Sequence, residues 1–195
     1  MGKIISLINT TPDGFVDARY ANIDAGYFEF VHDIIDQSGC IAFGRKSFEL
    51  FQSVWPARLE SETTTAWQLK MARALNDKPK TVFSSSLSDT HWADTTIKRS
   101  VDPGQLMSVK QDGGLLTFAS LHLVASMTAL HLIDEYYFCV QPMLAGGGAV
   151  RLFDTIRLPE PQSLVFAGSK SLASGVHIVH YRKGPDPKEN HTEAI

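Results

Sequence analysis

Hydrophobic residues fall along this chain in two alternating rhythms: short unbroken runs, and stripes spaced by three or four residues. Lys3 to Asn9, containing Ile4-Ile5-Ser6-Leu7-Ile8, is a run of the first kind, the pattern of a strand covered on both faces. Thr11-Pro12-Asp13-Gly14 reads as a turn, because proline presets φ and glycine accepts the left-handed region. Asp24 is placed as an N-cap. From Tyr27 through Asp36 the residues Tyr27, Phe28, Val31, Ile34 and Ile35 form one helical stripe. Cys40–Phe43 is a second strand, and Gly44-Arg45-Lys46-Ser47 opens a helix with Phe48 and Phe51 inside. Trp55-Pro56 ends that helix, since proline lacks the N–H and disfavours helical geometry in the residue before it.

Ala57 to Thr65 is polar and of mixed charge, a surface loop, and Ala66 to Asn76 is helical with Trp67, Leu69, Met71 and Leu75 available for packing. Strands follow at Lys80–Phe83, Thr95–Lys98 and Leu115–Phe118, with a helix near Pro103 to Lys110 between the last two. A further helix begins at Phe118-Ala119-Ser120-Leu121, with Leu123, Val124, Met127, Leu130 and Leu132 expected in the core, and the strand Tyr136–Val140 runs into Gly146-Gly147-Gly148. Ser163–Ala167 and Val176–Tyr181 have no helix between them and read as an antiparallel hairpin at one edge. Alternation of strand and helix predicts an α/β fold of three layers, α/β/α, on a mostly parallel mixed sheet closed by that hairpin.

With 195 residues, 44% hydrophobic and 20% charged, the chain suits one domain, taken as residues 1–183, with a Pro-rich, charged tail at 184–195 expected to be disordered. A formal net charge of −3 gives no basic excess, so neither nucleic acid nor an anionic membrane surface is an expected partner. Lys3 to Ile8 is too short for the apolar core of a signal peptide and no apolar run is long enough to span a membrane, so a cytoplasmic location is expected. Cys40 and Cys139 lie in apolar strand-like runs, as small buried hydrophobes of a reducing compartment do. No metal site is expected. His177 and His180 point to opposite faces of a strand, and His122 and His131 are out of phase on a helix.

In a parallel α/β sheet, ligands bind where strand C-termini meet helix N-termini. Four loops occupy such ends: Thr11–Gly14, Gly44–Ser47, Ser84–Ser86, and Ala119-Ser120. Gly44, Arg45, Lys46 and Ser47 combine a glycine turn, two cations and a hydroxyl at a helix start, a phosphate-binding composition that an ordinary solvated helix start also shows. Gly146 and Gly148 match two glycines of G-x-G-x-x-G, but position 151 is Arg and no βαβ unit follows, so a Rossmann domain is excluded. No G-x-S-x-G hydrolase elbow occurs.

Several of these segments also carry a family resemblance. Leu132-Ile133-Asp134-Glu135 through Pro142-Met143-Leu144-Ala145-Gly146-Gly147-Gly148 resembles the "vDEl…PvllGgG" signature of the riboflavin-biosynthesis reductase (RibD C-terminal domain) family, a branch of the dihydrofolate-reductase-like superfamily. Thr11-Pro12-Asp13-Gly14-Phe15 stands in place of "SLDGfi" and Val82-Phe83-Ser84-Ser85-Ser86-Leu87 in place of "vvFSrtL", in the family's order from Lys3 to about Phe153. The resemblance implies a dihydrofolate-reductase-like fold, a homodimer, and NADPH held by Gly44, Arg45, Lys46 and Ser47, by Ser84 and Ser85, and by Ala119, Ser120 and Leu121. Gly146 and Gly147 let the backbone come close to the bound group.

Asp13 is the candidate catalytic carboxylate, with stabilisation of its own turn an equally good reading, and Asn9, Thr10, Phe48 and Trp55 are candidates for the substrate side, core packing being the competing role for Phe48. The implied activity is an NADPH-dependent reductase resembling 5-amino-6-(5-phosphoribosylamino)uracil reductase, acting on a small heterocyclic or imine/carbonyl-type substrate. A phosphoribosyl substrate needs cations beyond those holding the cofactor, and Arg19, Arg58 and Arg151 are the ones in suggestive loops. Glu29 and Asp33 lie on the polar helix face, against a true dihydrofolate reductase. Ala119 stands where the family has glycine and Ser86 where a basic residue is frequent, which motivates the alternative of a non-catalytic, ligand-binding dimer of the same fold.

Overall fold

The computed structural model describes residues 1–118, 120–147, 150–154 and 158–185. The first run forms β1 (Lys3–Thr10), and the stripe after it forms α1 (Ala25–Asp36), capped by the Asp24 carboxylate accepting the Tyr27 N–H. β3 (Cys40–Gly44) leads straight into α2 (Arg45–Val54), after the two-residue strand β2 (Phe15–Val16). α3 (Ala66–Asp77), β4 (Lys80–Phe83), β5 (Thr95–Lys98), α4 (Pro103–Gln111) and β6 (Gly114–Phe118) follow. Next come α5 (Leu121–Ala129), β7 (Glu135–Val140), the short β8 (Val150–Arg151), β9 (Leu164–Ser171) and β10 (His177–Lys183).

Eight strands form one sheet in the order β5-β4-β3-β6-β1-β7-β10-β9. The first six run parallel, while β10 is antiparallel to both β7 and β9. The edge hairpin is thus where the sequence places it, although each strand is longer than the apolar pattern alone indicates. β2 and β8 form a separate antiparallel pair, too short to leave a two-residue period in the sequence.

β1 is central, and its side chains alternate between two cores. Ile5 and Leu7 pack with α1, Phe48 of α2, and Met71 and Leu75 of α3, whereas Ile4 and Ile8 pack with Leu106 of α4 and Leu123, Val124 and Met127 of α5. These are the three expected layers. Leu132 is buried as expected, but Leu130 is 45% exposed, because it caps the end of α5 beyond the last inward-facing turn. Cys40 and Cys139 carry free thiols, pushed up by burial to about 11 and about 12.

Tight backbone approach fixes the lower end of the sheet. Gly114 has φ +85°, and a Cβ there would lie 2.3 Å from the Lys3 carbonyl oxygen, so only glycine lets β6 start against β1. Lys80 is buried, with Nζ donating to the carbonyls of Leu75 (3.1 Å), Asn76 (2.9 Å) and Lys78 (2.7 Å). A cation on these C-terminal carbonyls of α3 complements the helix dipole and holds the start of β4 to the helix before it. Among the described residues, no helix is long and apolar enough to cross a membrane. Of the segment expected to be a disordered tail, 186–195 lie outside the described residues, while the Gly184 N–H donates to the Ser163 carbonyl.

Candidate active site

Parallel pairing carries the ends of β4, β3, β6, β1 and β7 to one rim. Gly44 lies opposite Phe83, and the Gly44 N–H donates to Ser120 Oγ at 2.9 Å, so the exits of β3, β4 and β6 meet at a single point. Ser84 Oγ accepts the N–H groups of Ser86 (3.2 Å) and Leu87 (2.9 Å), which closes the serine run into a tight turn with Ser85 exposed on it. β5 pairs with β4 so that Lys98 faces Phe83. That register brings Arg99 beside the turn, where Nη1 donates to the carbonyls of Ser84 (3.1 Å) and Leu87 (2.5 Å).

The helix caps separate this rim from the rest of the molecule. α1, α3 and α4 are each capped by a side chain, that of Asp24, Thr65 and Asp102. α2 and α5 are not, since Gly44 has no side chain to offer and Ser120 spends its hydroxyl oxygen on Gly44 instead of its own helix. An uncapped N-terminus keeps N–H donors and a positive dipole end facing outward. The two helices left in that condition are the two whose starts are joined at the rim. Arg45 and Lys46 are exposed at the start of α2, with Arg45 reaching Glu49 at 3.0 Å.

Beside the rim lies a cleft of about 400 Å³. One face of α2 supplies Ser47, Leu50, Phe51 and Val54 and its C-cap supplies Trp55, while β1 gives Leu7 and Asn9 and α1 gives Tyr27, Phe28 and Val31. Phe118 and Leu121 complete the side toward α5. The wall is apolar except at Asn9, Ser47, Asp17 and the polar ends of Tyr27 and Trp55, and Asp17 accepts the Arg19 backbone N–H at 2.8 Å and two guanidinium bonds at 3.0 and 2.7 Å.

Asp13 is a latch between two turns. Its carboxylate accepts the N–H groups of Ala145 (3.2 Å) and Gly146 (2.8 Å). A hydrogen bond from the Thr11 side chain, then that from Gly146, holds its pKa down to about 2. Gly146 and Gly147 have φ +68° and +146°, with open space where a Cβ would stand.

A family model fits this chain from residue 3 to residue 178, nearly its whole length, and its description is the RibD C-terminal domain. The chain belongs to the RibD C-terminal domain family. Among proteins, it is 22% identical over 192 residues to the uncharacterized protein YyaP of Bacillus subtilis (strain 168), covering 93% of this chain and 96% of YyaP. Among solved structures, it is similar to a Shewanella sp. PV-4 protein named for riboflavin biosynthesis, with TM-score 0.68, 17% identity, and 94% of this chain and 99% of that one covered. A pyrimidine reductase-like protein of Corynebacterium diphtheriae matches with TM-score 0.65 and 10% identity, over 95% of this chain and 93% of that one. RibD of Acinetobacter baumannii matches with TM-score 0.65 and 12% identity over 94% of this chain, which spans 58% of that longer protein. At such identities the likeness is one of fold.

Within this RibD C-terminal fold the expected groups sort as follows. Gly44, Ser47, Ser84, Ser85, Ser120 and Leu121 come together at the rim or the adjoining cleft, with Arg45 and Lys46 at its edge. Ala119 and Gly148 lie outside the described residues. The Gly146 N–H is engaged by Asp13, so it is not a free donor for a ligand. Asn9 and Trp55 stand on the cleft wall.

Three expectations need correction. Phe48 is fully buried, packed on Phe43 and Trp92 below the floor of the cleft, because it lies on the inward side of α2 rather than the side carrying Ser47 and Phe51. Thr10 is absent from the wall, its hydroxyl donating to the Thr11 carbonyl at 3.1 Å. Asp13, with both oxygens on backbone donors and its pKa near 2, is a poor proton donor at neutral pH and is also absent from the wall.

The sequence reading also missed three groups. Tyr27 reads in sequence only as part of a core stripe, and neither Gln141 nor Arg99 carries a local signal. The parallel β4/β5 register is the signal that finds Arg99, since a residue just past one strand end must face the turn at its neighbour's end.

Proposed function

We propose that this chain is an NADPH-dependent reductase whose cofactor phosphates lie over the uncapped starts of α2 and α5 and whose acceptor occupies the adjoining cleft. The joined pair of open helix N-termini is the observation that carries the reading, because two such ends provide backbone donors for a diphosphate without any side chain. The donor set fits the cofactor. Arg45, Lys46, Arg99 and the exposed Ser85 supply cations and a hydroxyl on the β3–β4–β5 side, suited to a further phosphate.

When bound, the reduced nicotinamide would supply a hydride to the carbon of a C=N or C=O group, whose π electrons move to the heteroatom and take up a proton from water, leaving the oxidised cofactor. Ser47 and Leu121 border both the rim and the cleft, so a ring entering from the rim meets the acceptor there. The Asp13 latch holds the glycine turn after β7 against the turn after β1 and fixes the far side of the rim. Apolar walls lower the dielectric around the acceptor.

Titration of the purified protein with NADPH and NADP⁺, followed by protein fluorescence, tests this. Sub-millimolar binding, weakened about tenfold by Arg45→Ala through loss of a charge-assisted contact, is the expected result. Absence of binding by either form removes the cofactor assignment.

A further inference from the structure

A chain of hydrogen bonds beside the cleft has a fixed direction. The backbone N–H of Asn22 can only donate, and it does so to Gln141 Oε1 at 2.8 Å. Gln141 therefore presents its Nε2 donors on the other side, to Asn9 Oδ1 at 2.9 Å. Asn9 in turn must donate through Nδ2, to Tyr27 Oη at 2.9 Å. One backbone amide thus sets the orientation of two side-chain amides that symmetry would otherwise leave open. At the end of the chain the Tyr27 oxygen is an acceptor, so its own O–H proton is free to be given elsewhere, and Tyr27 is part of the cleft wall. Burial raises the phenol's pKa well above its usual range, which keeps that proton in place at physiological pH.

The rest of the wall decides what can sit against this donor. Its residues include Tyr27, Phe28, Phe51 and Trp55 with several aliphatic side chains, and among the described residues that line it none is Lys, Arg or His. The three loop cations that a phosphoribosyl group would call on are directed elsewhere or absent from the wall. Arg19 is committed to Asp17 and Arg151 lies 4.7 Å over the Phe15 ring, while Arg58 is in the short helical turn Pro56–Leu59. Among the described residues the wall offers a phosphate no cation of its own, and Arg19 is already paired with the Asp17 carboxylate, so a phosphate there would lose its water for little return.

We infer that the cleft takes a neutral, unphosphorylated, flat and mostly apolar compound of one or two rings, bearing a carbonyl or imine that accepts a hydrogen bond from Tyr27. The inference rests on the cleft being the acceptor pocket of the proposed reductase and specifies its substrate class. Aromatic walls favour a planar ring face, and the directed chain through Asn9 and Gln141 holds the phenol where it can orient one polar atom. Tyr27 is a specificity-determining residue in this account, and the heteroatom it grips is the one on which negative charge develops during reduction.

Calorimetric titration of the intact protein with three matched probes tests this: 2-acetylnaphthalene, 2-ethylnaphthalene and 2-naphthyl phosphate. The ketone is expected to bind about tenfold more tightly than the hydrocarbon, the worth of one buried hydrogen bond, and the phosphate ester not to bind measurably. Tyr27→Phe should lower ketone affinity to that of the hydrocarbon and leave the hydrocarbon unchanged, a pattern that a folding defect does not produce. Leu50→Arg, at an exposed position on the cleft wall, should weaken the ketone and bring the phosphate ester into measurable range. Binding of the phosphate ester to the wild type as tight as that of the ketone overturns the inference, as does an unaltered ketone preference in Tyr27→Phe or failure of the ketone to bind. NADPH titration of the same samples keeps the two readings apart: ketone preference without NADPH binding ends the reductase assignment alone, and NADPH binding without ketone preference ends the substrate class alone.

Discussion

Asp13 shows how far one residue's role depends on partners that a sequence does not reveal. It stands in a Pro-Asp-Gly turn at a strand end, which equally suits a catalytic acid and a turn stabiliser, and its partners Ala145 and Gly146 are more than 130 positions away. Those amides and Thr11 lower its pKa from 3.8 to about 2. A carboxyl whose folded pKa is depressed contributes stability that is complete above its unfolded pKa and is lost as pH falls through the folded value. Wild type should accordingly melt above Asp13→Asn at pH 5 to 7, and the gap should close between about pH 4 and pH 2, as thermal denaturation followed by circular dichroism would show. A gap that stays constant over that range removes the latch. The same difficulty hides Tyr27: its place in an apolar stripe was legible, but its hydroxyl acquires a role only through Asn9 on β1 and Gln141 just past β7. Phe48 fails the other way, because helical spacing alone does not say which of two adjacent aromatic faces meets the cleft and which meets the core.

Elements were the most legible scale, because each long strand and helix carries its own period and its own start and stop chemistry. Asp24 caps α1 as its position predicts, and Pro56 follows the end of α2. What stayed hidden was the exception among the caps. Only the parallel pairing of β3 with β6 brings the Ser120 hydroxyl to the Gly44 N–H, which leaves α2 and α5 open. This separates function from stability at one position. Gly44 has an ordinary φ of −80°, and a Cβ there would meet Ser120 Cβ at 3.7 Å, so a side chain fits. Gly44→Asp should cap α2 and raise unfolding stability by about 0.5 kcal/mol, through the cap and the dipole together. The same carboxylate would occupy the donors offered to the cofactor and repel its phosphates, so NADPH affinity should fall at least tenfold, on the order of one lost charge-assisted contact. Urea denaturation and fluorescence titration of one preparation give both values. A stabilised variant that binds NADPH as well as wild type separates the open helix ends from the cofactor.

At the scale of the whole molecule, alternation of strands and helices made the layered sheet legible, and the loss of alternation after the glycine turn marked the antiparallel edge. Strand order was not legible, and order is what gathers β4, β3, β6 and β1 at one rim and sets α1 and α2 across the cleft from each other. The order also leaves β9 as the terminal strand, away from the helices. Leu164, Val165 and Phe166 are 39%, 49% and 61% exposed there, three successive apolar residues that turn to both faces of the sheet. A strand edge of this kind invites pairing unless it is blunted by charge or covered. The homodimer implied by the family resemblance has in β9 a surface of suitable character, since Phe166 lies edge-on to Tyr181 of β10 and extends the apolar strip across the hairpin. Sedimentation equilibrium should therefore give twice the chain mass for the wild type. Phe166→Asp should shift it to a monomer with an unchanged circular dichroism spectrum, because the residue carries little of the core. A monomeric wild type ends the dimer expectation. A dimer indifferent to Phe166→Asp moves the contact away from β9, and in either outcome the cleft, formed by one copy's β1, α1 and α2, keeps its composition.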